Sequence, residues 1–427
     1  MSAIQIKGGR IIDPANGRDE IADLWIEDGR ITEQSAIRNP QSAIETIDAA
    51  GLIVAPGLID LHVHLREPGQ SHKETLASGT QAAAAGGFTT VVAMPNTSPA
   101  ADSPSTIGWI QEKARRTAVV NVYCTGAITK GLKGEELAPI GSMAAAGIVA
   151  ITDDGHCIQN HEVMRRAAEY AGMFGLPMFD HCQDYNLVGN GVMHEGEWSL
   201  RLGLPGWPRF GEEIIVARNI HLAELTGTRI HCQHISSGGS IRLLREAKSR
   251  GVPVSGEVCA HHVYFIDEAL KGYDANFKMN PPLREAGDID LIVEGIADGT
   301  IEVLCSDHAP HAAYEKEVEL DQAPFGILGL ETELAAFAEV LIHRRKAVDW
   351  PKLIELYTVN PARLLKLPKG TLSAGADADV TLIAADSAWT RDKADSASLS
   401  RNDAFHGERF ASRAVRTIVG GKTVWAL

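Results

Sequence analysis

The chain has 427 residues, 44% of them hydrophobic and 22% charged, the balance of a globular protein large enough for a big domain and a smaller one. Its formal net charge of −15 lacks the basic surface of a nucleic-acid-binding protein, so we expect no nucleic-acid partner. No apolar stretch is long enough to span a membrane, and the opening residues MSAIQIKGGRIID lack the apolar core of a signal peptide. The six cysteines form no CxxC pair and most lie in apolar runs, which favours reduced thiols and a cytoplasmic location.

Both ends of the chain have the pattern of short strands separated by tight turns. In residues 1–54 the predicted strands are Ile4–Ile6, Arg10–Ile12, Leu24–Glu27, Arg30–Thr32 and Thr46–Asp48. In residues 369–427 they are Gly370–Leu372, Asp379–Leu382 and Ala414–Val424, the last with Gly420-Gly421 as a tight turn. Each half is too short to bury a core comfortably by itself. We therefore expect the halves to complete one small β-sandwich, with two unrelated β-appendages as the alternative.

Residues 55–368 alternate apolar strands with helical stretches, the pattern of βαβ units around a parallel sheet. The predicted strands are Gly57–His64, Thr89–Asn96, Val119–Ala127, Gly147–Asp153, Pro177–His181, Arg229–Ile235, Val252–Ala260 and Ile301–Ser306. The predicted helices are Lys73–Gly87, Pro104–Thr117, His161–Gly172, Gly211–Thr226, Gly238–Arg250 and Asp288–Asp298. Eight strands with intervening helices predict a closed (β/α)₈ TIM barrel. A doubly wound open sheet is the alternative, although no GxGxxG motif follows the first strand.

Polar side chains follow the ends of several predicted strands. His62 and His64 are two residues apart on a strand, so they share one face and can hold one metal ion. The later strand ends carry Asn96, Asp153-Asp154, His181, His234 and Asp307-His308. In barrels of this kind the active site lies at the carboxyl ends of the strands. By alternation His231 lies opposite Cys232 and His234, and we expect it to face the helices.

Four histidines and two aspartates exceed what one catalytic zinc ion takes from a protein. The strand ends therefore predict a two-metal site with a bridging carboxylate, and the residues alone leave Asp153 and Asp154 open as the bridge. Such a site lowers the pKa of water and polarises a carbonyl group. We expect hydrolysis, or its reverse, at a carbonyl–nitrogen bond.

Several segments resemble the cyclic amidohydrolases and, within them, the class I branch of the bacterial dihydroorotase family. The segments are PGLIDLHVHLREPG, AGGFTTVVAMPNT, TDDG, DHCQD, HCQHIS, MNPPLR and SDHAPH. The HxH pattern is shared widely, whereas HLREPG, MPNT, NPPLR and DHAPH together are much more specific. The resemblance covers nearly the whole chain, including the β-structure at both ends. Other branches bridge the metals with a carboxylated lysine, but the fourth strand, GIVAITDD, contains no lysine.

The resemblance implies a zinc-dependent dihydroorotase that reversibly cyclises N-carbamoyl-L-aspartate to dihydroorotate in pyrimidine biosynthesis. It implies two zinc ions per subunit, with Asp154 as the bridge and Asp307 as the general acid/base. The implied metal ligands are His62, His64, Asp154, His181, His234 and Asp307. The implied substrate-binding residues are His64, Arg66, Asn96, Asn280, His311, Phe325 and Gly326. Residues 311–326 resemble a lid over the site.

The same resemblance implies a small anionic substrate, a homodimer, and a complex with aspartate transcarbamoylase as a further partner. Two alternatives remain open. One is another cyclic amidase of the hydantoinase or allantoinase kind, which the missing bridging lysine and the NPPLR segment disfavour. The other is a non-catalytic partner of aspartate transcarbamoylase, which the intact set of candidate ligands disfavours.

Overall fold

The computed structural model describes residues 3–34 and 44–427. Two eight-stranded sheets organise these residues, one built from the middle of the chain and one from both of its ends. The predicted segment 1–54 therefore includes residues 1–2 and 35–43, which lie outside the described part. Within the described ranges, no helix is both long and apolar enough to cross a membrane.

The central sheet contains eight parallel strands that pair in chain order. They are Leu58–Val63, Phe88–Ala93, Asn121–Gly126, Ala150–Ile151, Met178–Asp180, Ile230–Cys232, Val254–Cys259 and Val303–Cys305. The first strand meets the eighth where Val63 pairs with His308, and the His64 N–H donates to the His308 carbonyl at 2.9 Å. This contact closes the sheet into a ring. The predicted (β/α)₈ barrel is confirmed, and the open doubly wound alternative is wrong.

Helices follow the barrel strands and cover the outside of the ring. Their bounds are Leu76–Gly86, Pro104–Thr117, Ile140–Ala145, His161–Met173, Tyr185–Val188, Glu197–Leu202, Phe210–Thr226, Gly238–Ser249, Ala260–Tyr264, Ala286–Ala297, Ala313–Lys316, Glu333–Phe337, Trp350–Tyr357 and Val359–Leu365. All six predicted helices are present. The first begins three residues later than predicted because the Thr75 hydroxyl caps it, accepting from the Ser78 N–H at 3.1 Å.

The second sheet joins the two ends of the chain. Its strands are Ala3–Asp13, Arg18–Glu27, Arg30–Thr32, Ile44–Asp48, Ile53–Pro56, Val380–Ala384, Arg413–Val419 and Lys422–Ala426. Strand Ile53–Pro56 pairs with Ala3–Asp13 on one side and with Val380–Ala384 on the other, so it links the halves. A separate apolar cluster, which includes Ile6 and Leu382, forms the core of this small domain. The alternative of two unrelated appendages is therefore wrong.

Three predicted strand runs differ from the structure. Ile4–Ile6 and Arg10–Ile12 belong to one long strand whose register shifts between Ile6 and Gly9, so the turn expected between them is a local irregularity. Gly370–Leu372 is not a strand, because the Leu372 N–H donates to the Asp13 carboxylate at 2.8 Å instead of to a neighbouring strand.

The predicted domain limits, at residues 54 and 368, stay predictions. Strand Ile53–Pro56 lies across the first of them while pairing in the small sheet. In the C-terminal part, residues 385–412 leave that sheet and pack over the carboxyl end of the barrel, where Asn402 contacts the loop that follows the eighth strand.

Candidate metal centre and substrate site

Four imidazoles surround the Asp154 carboxylate at the carboxyl end of the barrel. Nε2 of His62 lies 3.3 Å from Oδ1 of Asp154, and Nε2 of His64 lies 3.4 Å from Oδ2. Nδ1 of His181 and Nε2 of His234 lie 3.8 Å and 3.6 Å from Oδ1. All five side chains are buried. Asp154 thus occupies the position that a carboxylate bridging two metal ions needs.

Asp153, the alternative bridge, points elsewhere. Its Oδ1 accepts hydrogen bonds from the backbone N–H groups of Ile128 at 2.7 Å and Thr129 at 3.0 Å, and its Oδ2 accepts from the Thr129 hydroxyl. Asp153 therefore ties the loop after the third barrel strand, while Asp154 faces the imidazoles.

Asp307 stands beside the first imidazole pair, with Oδ1 3.0 Å from Nε2 of His64 and 3.5 Å from Nε2 of His62. It directly follows the eighth strand and has a left-handed backbone, with φ of 46°. Arg66 and His234 also have positive φ, of 60° and 36°. Non-glycine residues rarely adopt this conformation, and it concentrates at functional sites because the surrounding structure must hold it there.

The two carboxylates are held in their charged form. Burial acts to raise the pKa of Asp154, but the neighbouring imidazoles of His62, His234 and His64 outweigh it and keep the pKa well below its usual value. Burial is likewise outweighed at Asp307, where His62 and His64 lower the pKa. Both groups are therefore ionised at neutral pH.

The imidazoles of the cluster differ in protonation. Burial and the neighbouring His234 lower the pKa of His181 to about 4, so its ring is neutral. Burial acts to lower the pKa of His62 as well, but the charges of Asp154, Glu257 and Asp307 raise it well above its usual value. The cluster thus places a positive charge at His62, between carboxylates, where a divalent cation would take the place of the proton.

The donor atoms fit divalent metal ions. Nε2 of His62 is buried and has no hydrogen-bond partner within residues 3–34 and 44–427. His62, His64 and Asp307 place one donor atom each within 4.8 Å of one another, and so do His62, Asp154 and His234. Imidazole nitrogens combined with carboxylate oxygens suit zinc and related ions.

A cavity of about 250 Å³ opens over this cluster. Its lining residues are His64, Arg66, Asn96, Asp154, Gly155, His181, His234, Asn280, Asp307, Ala309, His311, Phe325 and Gly326. The structure therefore brings every predicted site residue to one place, with His62 buried beneath the cavity floor. Gly155 and Ala309 are the lining residues that the sequence did not single out.

Arg66 places a positive charge at one wall of the cavity. Its Nε donates to the Pro310 carbonyl at 3.1 Å, and no aspartate or glutamate of residues 3–34 and 44–427 pairs with its guanidinium. Burial lowers its pKa to about 10, which leaves it protonated at neutral pH. Beside it, burial and the charges of Arg66 and Lys73 lower the pKa of His311 to about 2, so His311 is neutral. This wall suits an anionic group such as a carboxylate.

Sequence reasoning missed two residues that hold the candidate metal ligands in place. Glu257, fully buried in the seventh strand, accepts from Nδ1 of His62 at 2.6 Å. Gln183 Oε1 lies 2.7 Å from Nε2 of His181 and accepts from Asn280 Nδ2 at 3.1 Å. A glutamate inside an apolar strand is unusual enough to have signalled Glu257; Gln183 lies in the DHCQD segment but carried no assigned role.

The prediction for His231 is wrong. Its Nδ1 lies 2.8 Å from the Ser255 hydroxyl and its Nε2 lies 3.2 Å from Glu257, so it faces the barrel interior. Cys232 instead approaches Asn219 on the helix outside. Strand alternation does not continue to His234, because the strand ends at Cys232 and His234 has a left-handed backbone.

Two solved structures have the same architecture as this chain. L-Hydantoinase (dihydropyrimidinase) from Arthrobacter aurescens superimposes with a TM-score of 0.88 at 23% identity, covering 99% of this chain and 97% of that one. Dihydropyrimidinase from Brevibacillus agri gives 0.86 at 22% identity, covering 99% and 95%. At these identities the likeness shows the fold. An amidohydrolase family model matches residues 224–425, so the barrel, the small sheet and the donor cluster define a metal-dependent amidohydrolase.

A dihydro-orotase-like family model matches residues 51–240. The curated relatives include the dihydroorotase of Pelotomaculum thermopropionicum, 51% identical over 419 residues that cover 98% of this chain and 97% of that protein. The dihydroorotase of Solibacter usitatus is 48% identical over 423 residues, covering 99% and 98%. The chain belongs to the dihydroorotase family.

Proposed function

We propose that this chain is a dihydroorotase that reversibly closes N-carbamoyl-L-aspartate to (S)-dihydroorotate, with release of water, in pyrimidine biosynthesis. The observation that carries the proposal is one cavity that joins a four-histidine, two-aspartate cluster to Arg66, which pairs with no carboxylate in the described part of the chain. Hydrolysis of a cyclic amide needs the histidine–aspartate cluster, and binding of a substrate carboxylate needs the arginine. Family membership at about half identity over the whole chain supports the same reaction.

We assign two zinc ions to the cluster. His62, His64 and Asp307 would hold one ion and His181 with His234 the other, with Asp154 between them. Bound there, the metal would polarise the reacting carbonyl and make water a stronger nucleophile. The nitrogen-rich donor set supports zinc over magnesium or calcium, which prefer oxygen ligands.

Asp307 moves the proton in this proposal. Because its carboxylate is ionised, it can accept a proton from the ureido nitrogen as that nitrogen bonds to the side-chain carboxyl carbon of carbamoyl aspartate. The carbon–oxygen bond to the carboxyl hydroxyl group then breaks, and this group takes up the proton from Asp307 and leaves as water. In the hydrolytic direction the protonated carboxyl returns the proton to the ring nitrogen as the carbon–nitrogen bond breaks. The His64 contact at 3.0 Å keeps the carboxylate beside the metal ligands.

The remaining cavity residues bind and orient the substrate. Arg66 donates to the α-carboxylate through its planar guanidinium, with His311 and Asn96 on the same group. The Asn96 carbonyl lies 2.8 Å from Nδ1 of His64, which turns the amide N–H₂ away from that ring. Asn280 and the Phe325-Gly326 backbone contact the ring.

We also propose a homodimer, an aspartate transcarbamoylase complex and a cytoplasmic location. The exposed apolar side chains of Phe210, Ile214 and Leu225 on one helix support an interface between subunits. The six free, buried cysteines support a reducing compartment.

Turnover of dihydroorotate, hydantoin and allantoin, with zinc content measured on the same sample, tests the proposal. We expect turnover of dihydroorotate and about two zinc ions per chain. Faster turnover of hydantoin or allantoin would make the chain another cyclic amidase. A chain that binds zinc but turns over none of the three would be a non-catalytic partner. The assay without added transcarbamoylase and again with it decides whether that partner is needed.

A further inference from the structure

Asn402 reaches the active-site cavity from outside the barrel. It lies in the segment 385–412, which connects two strands of the small sheet. The Ser400 hydroxyl fastens this segment to the Lys73 carbonyl at 2.6 Å, and Arg391 pairs with Asp403 at 2.7 Å and with Glu331 at 3.0 Å. These contacts bury Asn402 to 3% exposure.

The Asn402 amide joins two walls of the cavity. Its Oδ1 accepts from the His311 N–H at 3.0 Å, while its Nδ2 donates to the Ala309 carbonyl at 3.0 Å and to the Gly326 carbonyl at 3.1 Å. Its own carbonyl accepts from the Leu328 N–H at 2.9 Å. The amide thus uses its acceptor and donors at once, and only an amide side chain matches this pattern.

The walls it joins are those that face the substrate. Nε2 of His311 donates to the Phe325 carbonyl at 2.9 Å, and Nη2 of Arg66 lies 3.4 Å from the same nitrogen. A side chain at Gly326 would meet Cβ of Ala309 at 2.7 Å, so the walls are in direct contact. The Gly326 carbonyl also accepts from Lys316 at 3.0 Å, a second anchor on that wall alone.

We propose that Asn402 is a positioning residue that fixes His311 and Gly326 relative to each other, and thereby sets the part of the cavity that receives the substrate carboxylate. The inference rests on the proposed function and deepens it. Asn402 contacts no metal ligand among the described residues, so its effect falls on substrate binding and leaves the metal centre intact.

The variant Asn402→Asp tests this at constant size. The substitution replaces the Nδ2 group, which donates to the Ala309 and Gly326 carbonyls, by a negatively charged oxygen that repels both carbonyls. We expect KM for dihydroorotate to rise by roughly 10- to 100-fold, kcat to fall by less than about threefold, and zinc content to stay unchanged, the pattern of lost ground-state binding.

Two further variants separate positioning from general stability. Ser400→Ala removes the bond that fastens the segment to Lys73 but leaves the Asn402 amide in place, so KM should stay within about twofold of the wild-type value. Lys316→Met loosens the Gly326 wall alone, so its rise in KM should be smaller than that of Asn402→Asp and should not add to it in the double variant.

Several outcomes overturn the inference. One is an unchanged KM in folded Asn402→Asp. Another is a fall in kcat and zinc content in that variant without a change in KM. The third is a rise in KM for Ser400→Ala as large as that for Asn402→Asp. If Asn402→Asp does not fold, Asn402→Ala is measured against the same limits. A wild-type chain inactive on dihydroorotate would overturn the proposed function and the inference together, whereas an active wild type with unchanged variants overturns the inference alone.

Discussion

Glu257→Gln should weaken metal binding although Glu257 contacts the His62 ring on the side away from Asp154. Its carboxylate accepts from Nδ1 of His62 at 2.6 Å and lies 3.2 Å from Nε2 of His231. The bond to His62 fixes the ring so that Nε2 faces Asp154, and the negative charge makes that nitrogen a better ligand. Glutamine keeps the size and one acceptor oxygen but removes the charge.

The magnitude follows from two independent arguments. Burial acts to raise the pKa of Glu257, but His62 and His231 lower it to about 2, below the ordinary value of 4.5. At 1.36 kcal/mol per pKa unit this net shift corresponds to about 3 kcal/mol, which is what remains of the charge's interaction with its partners after the cost of burial. Partners of metal-ligating histidines elsewhere are worth roughly 10- to 100-fold in metal affinity, or about 1.4–2.7 kcal/mol. We therefore expect a loss of roughly 10- to 100-fold.

Competition with a zinc chelator measures the affinity of the wild type and the variant. Glu331→Gln is the matched control, because Glu331 is another buried carboxylate that pairs with Arg391 away from the metal ligands. It should lose stability but keep its zinc affinity. Equal zinc affinities for wild type and Glu257→Gln would refute the reasoning, as would an equal loss in the control.

Four further predictions concern charges at and near the cavity. Asp154→Ala should lose zinc while Asp153→Ala keeps most of it, as metal analysis of both variants will show; the reverse order would move the bridge to Asp153. Arg66→Lys should weaken dihydroorotate binding by about 1–3 kcal/mol, seen as a higher KM, since it removes the planar guanidinium; an unchanged KM rejects the role. Asp307→Asn should retain zinc while kcat falls by roughly 10²–10⁴; near-normal turnover that keeps the acidic limb of the pH–rate profile would exclude Asp307 as the proton carrier. Burial and Lys278 lower the pKa of Lys316 to about 7, so the native chain binds fewer protons than the unfolded one between about pH 7 and 10.5. The free energy of unfolding should therefore rise with pH across this window by up to about 1.4 kcal/mol per pH unit. Melting curves recorded at several pH values should show a smaller rise for Lys316→Met, and an equal rise in both proteins would mean that Lys316 is charged in the folded chain.

The regular part of the fold could be predicted from the sequence because its signal is periodic. Each barrel strand is a short apolar run, and apolar residues recur every three to four positions in the helices between the strands. The polar ends of those strands converge for a geometric reason, since parallel strands in a barrel end on one face. His62, His181, His234, Asp307 and one of the pair Asp153-Asp154 could therefore be placed together from the sequence, whereas the choice of Asp154 needs the family resemblance or the structure.

What failed were arguments that extended a period past the end of an element. His231 was assigned to the wrong face because alternation was continued to His234, beyond the last paired residue, Cys232. Asn402 was not found for a related reason. It lies in an irregular segment about 90 residues from His311 in the chain, and no period connects the two.

The two halves of the site are therefore built by different means, and this has a functional consequence. The candidate metal ligands His62, Asp154, His181 and His234 lie at or just beyond the ends of four separate barrel strands, so a change at one of them leaves the others in position and should appear first as lost metal. The substrate walls are irregular backbone held by buried side-chain hydrogen bonds, such as those of Asn402 and Lys316 to Gly326. A change there shifts the walls and should appear first in KM. Zinc content and KM measured together show whether a substitution acts on the metal centre or on the substrate walls, because either can be disturbed while the other stays intact.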